Sequence, residues 1–136
     1  MTAFTELDQR WRLLVPAGAV VVDVGPPRAA VRQVRALPAR TDVVLTGSRR
    51  LRWLARRARV RVTAEYLALP SLATPVAIVR CEPPALRFTA RTVLTVPSGV
   101  TRRHLPIWLA VRLIRAVPRL LRRAPAGDRL VVGVRR

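Results

Sequence analysis

The chain has 136 residues, enough for one domain with a substantial core. Its 26 basic residues are all Arg and face only seven acidic ones, so a net charge of +19 draws anions: nucleic acid, anionic lipid or phosphate. The single cysteine, Cys81, excludes an internal disulfide and a cysteine-based zinc site, and reads as a small buried hydrophobe.

Residues 1–15 place Phe4, Leu7, Trp11 and Leu14 at spacings of three and four, which predicts a short helix. That start has no apolar signal core, and no apolar stretch reaches the roughly 18–20 residues of a membrane span. The expected location is the cytoplasm, with attachment to a membrane periphery as the alternative. Pro16-Ala17-Gly18 is a turn. Ala19–Val24 is a continuous apolar, β-branched run, the pattern of a strand buried on both faces. Pro27 suits the first turn of a helix, and Val31, Val34 and Leu37 follow at steps of three with Arg between them until Pro38.

Asp42–Thr46 is a second apolar run, followed by Gly47 and by Ser48 as a plausible helix cap. Leu51, Leu54, Ala55 and Ala58 trace one helical stripe, and Val60–Leu69 reads as a third strand ended by Pro70. This alternation of strand and helix argues for a parallel α/β sheet. Pro75–Cys81 reads as a short strand or an extended connector, and a helix starts at Pro83-Pro84 and runs to about Val96. Leu105–Ala124 is a basic amphipathic helix kinked at Pro118, and Arg129–Val134 is a closing strand. The expected fold is one small Rossmann-like α/β domain, three-layered and mostly parallel. Residues 1–71 form its β-α-β-α-β half. Residues 72–136 add an irregular helical segment and an antiparallel C-terminal strand.

A strand that ends in Asp23-Val24-Gly25 brings a carboxylate and a flexible turn to the carboxyl edge of a sheet, where α/β proteins bind ligands. On this reading Gly25 is needed by the turn itself, and the next helix points its N–H groups at the ligand. The other reading is structural, with Asp23 capping the following helix or bonding turn amides.

The stretch Leu14-Val15-Pro16-Ala17-Gly18-Ala19-Val20-Val21-Val22-Asp23-Val24-Gly25 resembles the opening of class I S-adenosylmethionine-dependent methyltransferases. In that family a turn with Pro and Gly leads into the first strand, and an Asp/Glu-x-Gly-x-Gly loop wraps the cofactor. Arg50–Ser71 is similar to the family's late helix and sixth strand, and residues 105–134 to a helical insertion before the seventh. The resemblance implies an abbreviated or degenerate methyltransferase-like domain that moves a methyl group from S-adenosylmethionine to an unidentified acceptor. It places Asp23 and Gly25 in the cofactor loop, with Thr46 and Gly47 at the neighbouring strand end. The chain departs from the family at Pro26-Pro27, where another Gly is usual. It departs again at the second strand, Asp42–Gly47, which ends without an acidic residue.

For catalysis the sequence offers His104, its only histidine, and Glu65 on the third strand; neither has a sequence neighbour that marks it as a base. Pairing of Glu65 with an Arg is the structural reading. In the helix at residues 105–123, Leu109, Leu113, Ala116, Val117 and Leu120 share an apolar face, while Arg112, Arg115, Arg119 and Arg122 form a basic stripe. That pattern suits a helix packed on a sheet with its Arg in water. It equally suits a non-catalytic accessory domain docking an anionic membrane surface or an acidic partner. Nucleic acid is the weaker partner class, because no aromatic stacking platform accompanies the Arg.

Overall fold

The structure is a computed structural model, described for residues 9–47, 50–69, 71–92, 105–118, 120 and 128–136. The strands are β1 (Val20–Asp23), β2 (Asp42–Gly47), β3 (Val60–Leu69), β4 (Ala77–Arg80) and β5 (Asp128–Arg135). The helices are α1 (Pro27–Ala36), α2 (Leu51–Arg57), α3 (Pro83–Thr92) and α4 (Leu105–Ala116). They make an α/β protein with an open five-stranded sheet in the order β1-β2-β5-β3-β4.

β1 and β2 pair in parallel, and β5 pairs antiparallel with both β2 and β3. The C-terminal strand therefore runs antiparallel, but it lies inside the sheet instead of closing its edge. The sheet is thus mixed: β1, β2 and β3 share one direction, and the C-terminal strand opposes them, as expected of that strand. Two compact units result: residues 1–78 with 126–136, and residues 79–125.

In the first unit the apolar runs are continuous because both sheet faces are covered. On one face Val22, Val43, Leu45 and Val131 pack with Ala30 and Val34 of α1 and Leu51, Leu54 and Ala55 of α2. On the other, Val44, Tyr66, Leu130 and Val132 pack with Trp11, Val15 and Leu72. Residues 9–13 form a short 3-10 helix rather than the described part of an α-helix, and Leu13 is exposed. Trp11 is fully buried; its indole N–H donates to the Leu72 carbonyl at 2.9 Å, and its ring meets Tyr66 edge-on.

β3 changes face partway along. Its register with β5 slips between Val62 and Ala64, the mark of a bulge at Thr63, whose hydroxyl donates to the Val132 carbonyl. Val60 and Val62 serve the helix-covered core, whereas Ala64, Tyr66 and Ala68 serve the core around Trp11. Gly133 stands opposite Val62, where the bulge begins. A Cβ there would lie 2.6 Å from both the Arg61 carbonyl oxygen and Val60 Cγ1.

Arginines without carboxylate partners bond to helix ends instead. Arg135 donates from Nε to the Val34 carbonyl at 3.0 Å and from Nη2 to that of Arg35 at 2.6 Å, closing the C-terminus of α1. Arg35 in turn donates twice to the Arg57 carbonyl at the last turn of α2. A cation at this end also meets the negative pole of the helix dipole.

In the second unit α3 packs against α4. Leu86, Thr89 and Ala90 of α3 are buried, and Thr89 returns its hydroxyl to the Ala85 carbonyl. Cys81 is buried. No helix among the described residues is long and apolar enough to cross a membrane.

Candidate functional site

The carboxyl ends of β1 and β2 bring the sequence-predicted cofactor residues together. Asp23 and Thr46 are register partners on the two parallel strands. The Thr46 hydroxyl donates to Asp23 Oδ1 at 3.4 Å, a long contact that leaves the carboxylate largely open. The Val24 N–H donates to the Thr46 carbonyl at 2.8 Å, so the strand ends stay joined as they leave the sheet. Thr46 is buried and Asp23 exposed, which puts a fixed hydroxyl behind an accessible carboxylate. Both have the parity of Val21 and Val44 and so share the sheet face of Trp11.

Gly25 corrects the expectation placed on it. Its backbone is not in the left-handed region, and a Cβ would meet nothing within 4 Å. The turn therefore tolerates a side chain, and what Gly25 leaves is open space beside Asp23. At Gly47 a Cβ would stand 3.4 Å from the side chains of Leu51 and Val24, so this glycine lies against the start of α2.

Asp23 does not cap α1: the cap position is Pro26, with no side-chain hydrogen bond. The start of α1 is also a poor anion cradle. Pro27 has no N–H, and the N–H groups of Ala29 and Ala30 both turn back to the Pro26 carbonyl. The expected array of helix-start donors aimed at a ligand is thus largely consumed within the turn.

Glu65 lies on the other face of the sheet, with its side chain 4% exposed. Its Oε2 accepts from Arg52 Nε of α2 at 2.6 Å, and its Oε1 lies 3.7 Å from Arg129 Nη1 of β5. The arrangement supports the pairing reading of Glu65 over the catalytic one. Arg52 and Arg129 escaped the sequence reading because no local pattern ties them to Glu65. We expect Glu65→Gln to cost about 2–3 kcal/mol, less than a fully buried pair because Arg52 is more than half exposed. Chemical denaturation would show this, and a loss below about 0.5 kcal/mol would remove the pair from the account of stability.

His104, Ser48, Arg119 and Arg122 lie outside the described residues. Arg112 and Arg115 are exposed on α4, and the Arg112 guanidinium sits 4.9 Å from the centroid of the Trp108 ring. The apolar face of the same helix is exposed too, rather than packed, as Leu109, Leu113 and Val117 show.

The fold and this edge define an α/β protein with an open mixed sheet and a carboxylate–hydroxyl pair at its parallel strand ends. Comparison of the chain with protein-family models, curated proteins and solved structures finds no match.

Proposed function

We propose that this chain is a methyltransferase-like α/β domain and that the β1–β2 edge holds the nucleoside part of S-adenosylmethionine. The observation that carries the reading is the pairing of Asp23 and Thr46 at adjacent parallel strand ends, beside the open space at Gly25. Ligands of open α/β sheets bind outside such ends. Asp23 would accept hydrogen bonds from ribose hydroxyls, and Thr46 would hold the carboxylate in place. The antiparallel C-terminal strand, preceded in the chain by α3 and α4, accords with the family arrangement that the sequence resembles.

Pro26 and Pro27 shape the choice of ligand. A helix start with few available donors does not suit a phosphate. S-adenosylmethionine has none, and its ribose asks for an acceptor, which Asp23 supplies. When bound, this cofactor provides an electrophilic methyl group on a sulfonium centre. The protein's part would be to orient donor and acceptor. Glu65 is not assigned as a base, since it faces the opposite side of the sheet from Asp23.

The test is calorimetric titration with S-adenosylhomocysteine, on the natural chain and on Gly25→Val. The natural chain should bind at micromolar Kd, about −8 kcal/mol. The variant should bind at least roughly tenfold more weakly, equivalent to about 1.4 kcal/mol. Its melting temperature should not change, because a Cβ added at this position meets no protein atom within 4 Å. Equal affinity in both proteins would place the ligand elsewhere.

A further inference from the structure

Along α4 an apolar side chain stands exposed at every fourth residue: Leu105 at 46%, Leu109 at 53%, Leu113 at 56% and, just past the helix, Val117 at 44%. Val111 and Ile114, on another side of the helix, are half-buried. The exposed face is thus the more leucine-rich one, the reverse of a helix packed on its own protein. α3, in the same unit, exposes Phe88 as well.

The sequence on either side of this stripe carries charge of one sign. Residues 83–127 contain nine Arg and no Asp or Glu. On α4 itself, Arg112 and Arg115 are exposed, and Arg112 stacks on the half-buried ring of Trp108. A second copy packed along this stripe would set Arg112 and Arg115 against their own copies, with no carboxylate on α4 to pair them, so self-association is disfavoured. A polyanionic groove would satisfy the Arg but leave the leucines in water. An anionic bilayer satisfies both groups: leucines enter the acyl boundary while Arg reach lipid phosphates. Trp108, amphipathic and flanking the stripe, suits the level of the headgroups. Twelve residues give a helix about 18 Å long, suited to lying in the interface and too short to cross it.

We infer that α4 docks this protein on an anionic lipid surface, with Leu105, Leu109, Leu113 and Val117 inserted and Arg112 and Arg115 at the phosphates. This inference stands apart from the β1–β2 edge and does not depend on it.

Flotation of the full chain with vesicles tests it, using phosphatidylcholine with and without phosphatidylglycerol, over a salt series. The chain should float with the anionic vesicles, less so as salt rises, and should stay behind with the neutral ones. Arg112→Gln with Arg115→Gln should weaken binding by roughly fivefold per arginine. Leu109→Gln with Leu113→Gln should weaken it by roughly a hundredfold while leaving the melting temperature unchanged, since both residues are exposed. No flotation of the natural chain would overturn the inference. So would unchanged binding of the leucine variant, which would reduce the attraction to charge alone. Sedimentation that shows a dimer abolished by the leucine substitutions, without flotation, would give the stripe to a second copy instead.

Discussion

Gly133→Ala should destabilise the protein by about 3 kcal/mol, the upper part of the range for overpacking a core. The new Cβ would lie 2.6 Å from a backbone oxygen of β3 and 2.6 Å from Val60 Cγ1. A side chain can turn aside, but the Arg61 carbonyl is held in the sheet beside the Thr63 bulge. Relief requires β3 and β5 to separate within their pairing, which runs from Val60 opposite Arg135 to Ala68 opposite Asp128. For a chain of this length the loss corresponds to a fall of about 10 °C in melting temperature. Gly25→Ala is the control and should leave melting unchanged, because that site is open. A drop below about 2 °C for Gly133→Ala would mean that the bulge relaxes freely.

Trp11→Ala should cost about 3–5 kcal/mol, as for other fully buried large aromatics. The substitution empties the middle of the core formed with Val44, Tyr66, Leu130 and Val132. It also removes the donor to the Leu72 carbonyl. Trp11→Phe separates the two effects. It keeps an aromatic edge toward Tyr66 and loses the hydrogen bond, so it should cost about 1–2 kcal/mol. Urea denaturation of both variants would check the order. A loss below about 1 kcal/mol for Trp11→Ala would show that the segment before β1 contributes little to the core.

Much of the first unit was legible in the sequence, because its signals are local. The runs at residues 19–24, 42–46 and 60–69 become strands since both faces of their sheet are covered. Pro27 marks the first residue of α1, and the apolar steps of three in residues 31–37 mark its buried side. In residues 105–124 the proline acted one residue earlier than a kink at Pro118 implies: α4 stops at Ala116, leaving Val117 before the ring. The residue preceding a proline is pushed out of helical geometry.

The insertion of β5 between β2 and β3 was not legible, because pairing across some sixty to ninety residues leaves no periodic trace. The Thr63 bulge was hidden for a related reason: Val60, Val62, Ala64 and Tyr66 alternate unbroken with Arg61, Thr63 and Glu65, so the sequence carries no sign that the chain changes face at the slip. The candidate site divides along the same line. Asp23 and Thr46 could be matched because each ends an apolar run and the two runs pair in parallel. Glu65 was visible as an acid on a strand, but Arg52 lies thirteen residues away and Arg129 sixty-four, so these contacts are visible only in three dimensions. Gly25 resembled a turn requirement in sequence, and only its backbone angles and empty surroundings show otherwise. The apolar face of α4 was read correctly as a face, while its exposure depended on what the rest of the chain leaves uncovered.

The proposed function turns on whether the β1–β2 edge takes a nucleoside through Asp23. Its most direct measurement is the heat of binding of S-adenosylhomocysteine to the natural chain, repeated with Asp23→Ala. Binding should be micromolar and should fall by roughly tenfold or more when the carboxylate is removed, as expected for loss of a charged hydrogen-bond acceptor. No heat and no thermal stabilisation at millimolar ligand, or affinity that Asp23→Ala leaves intact, would contradict it.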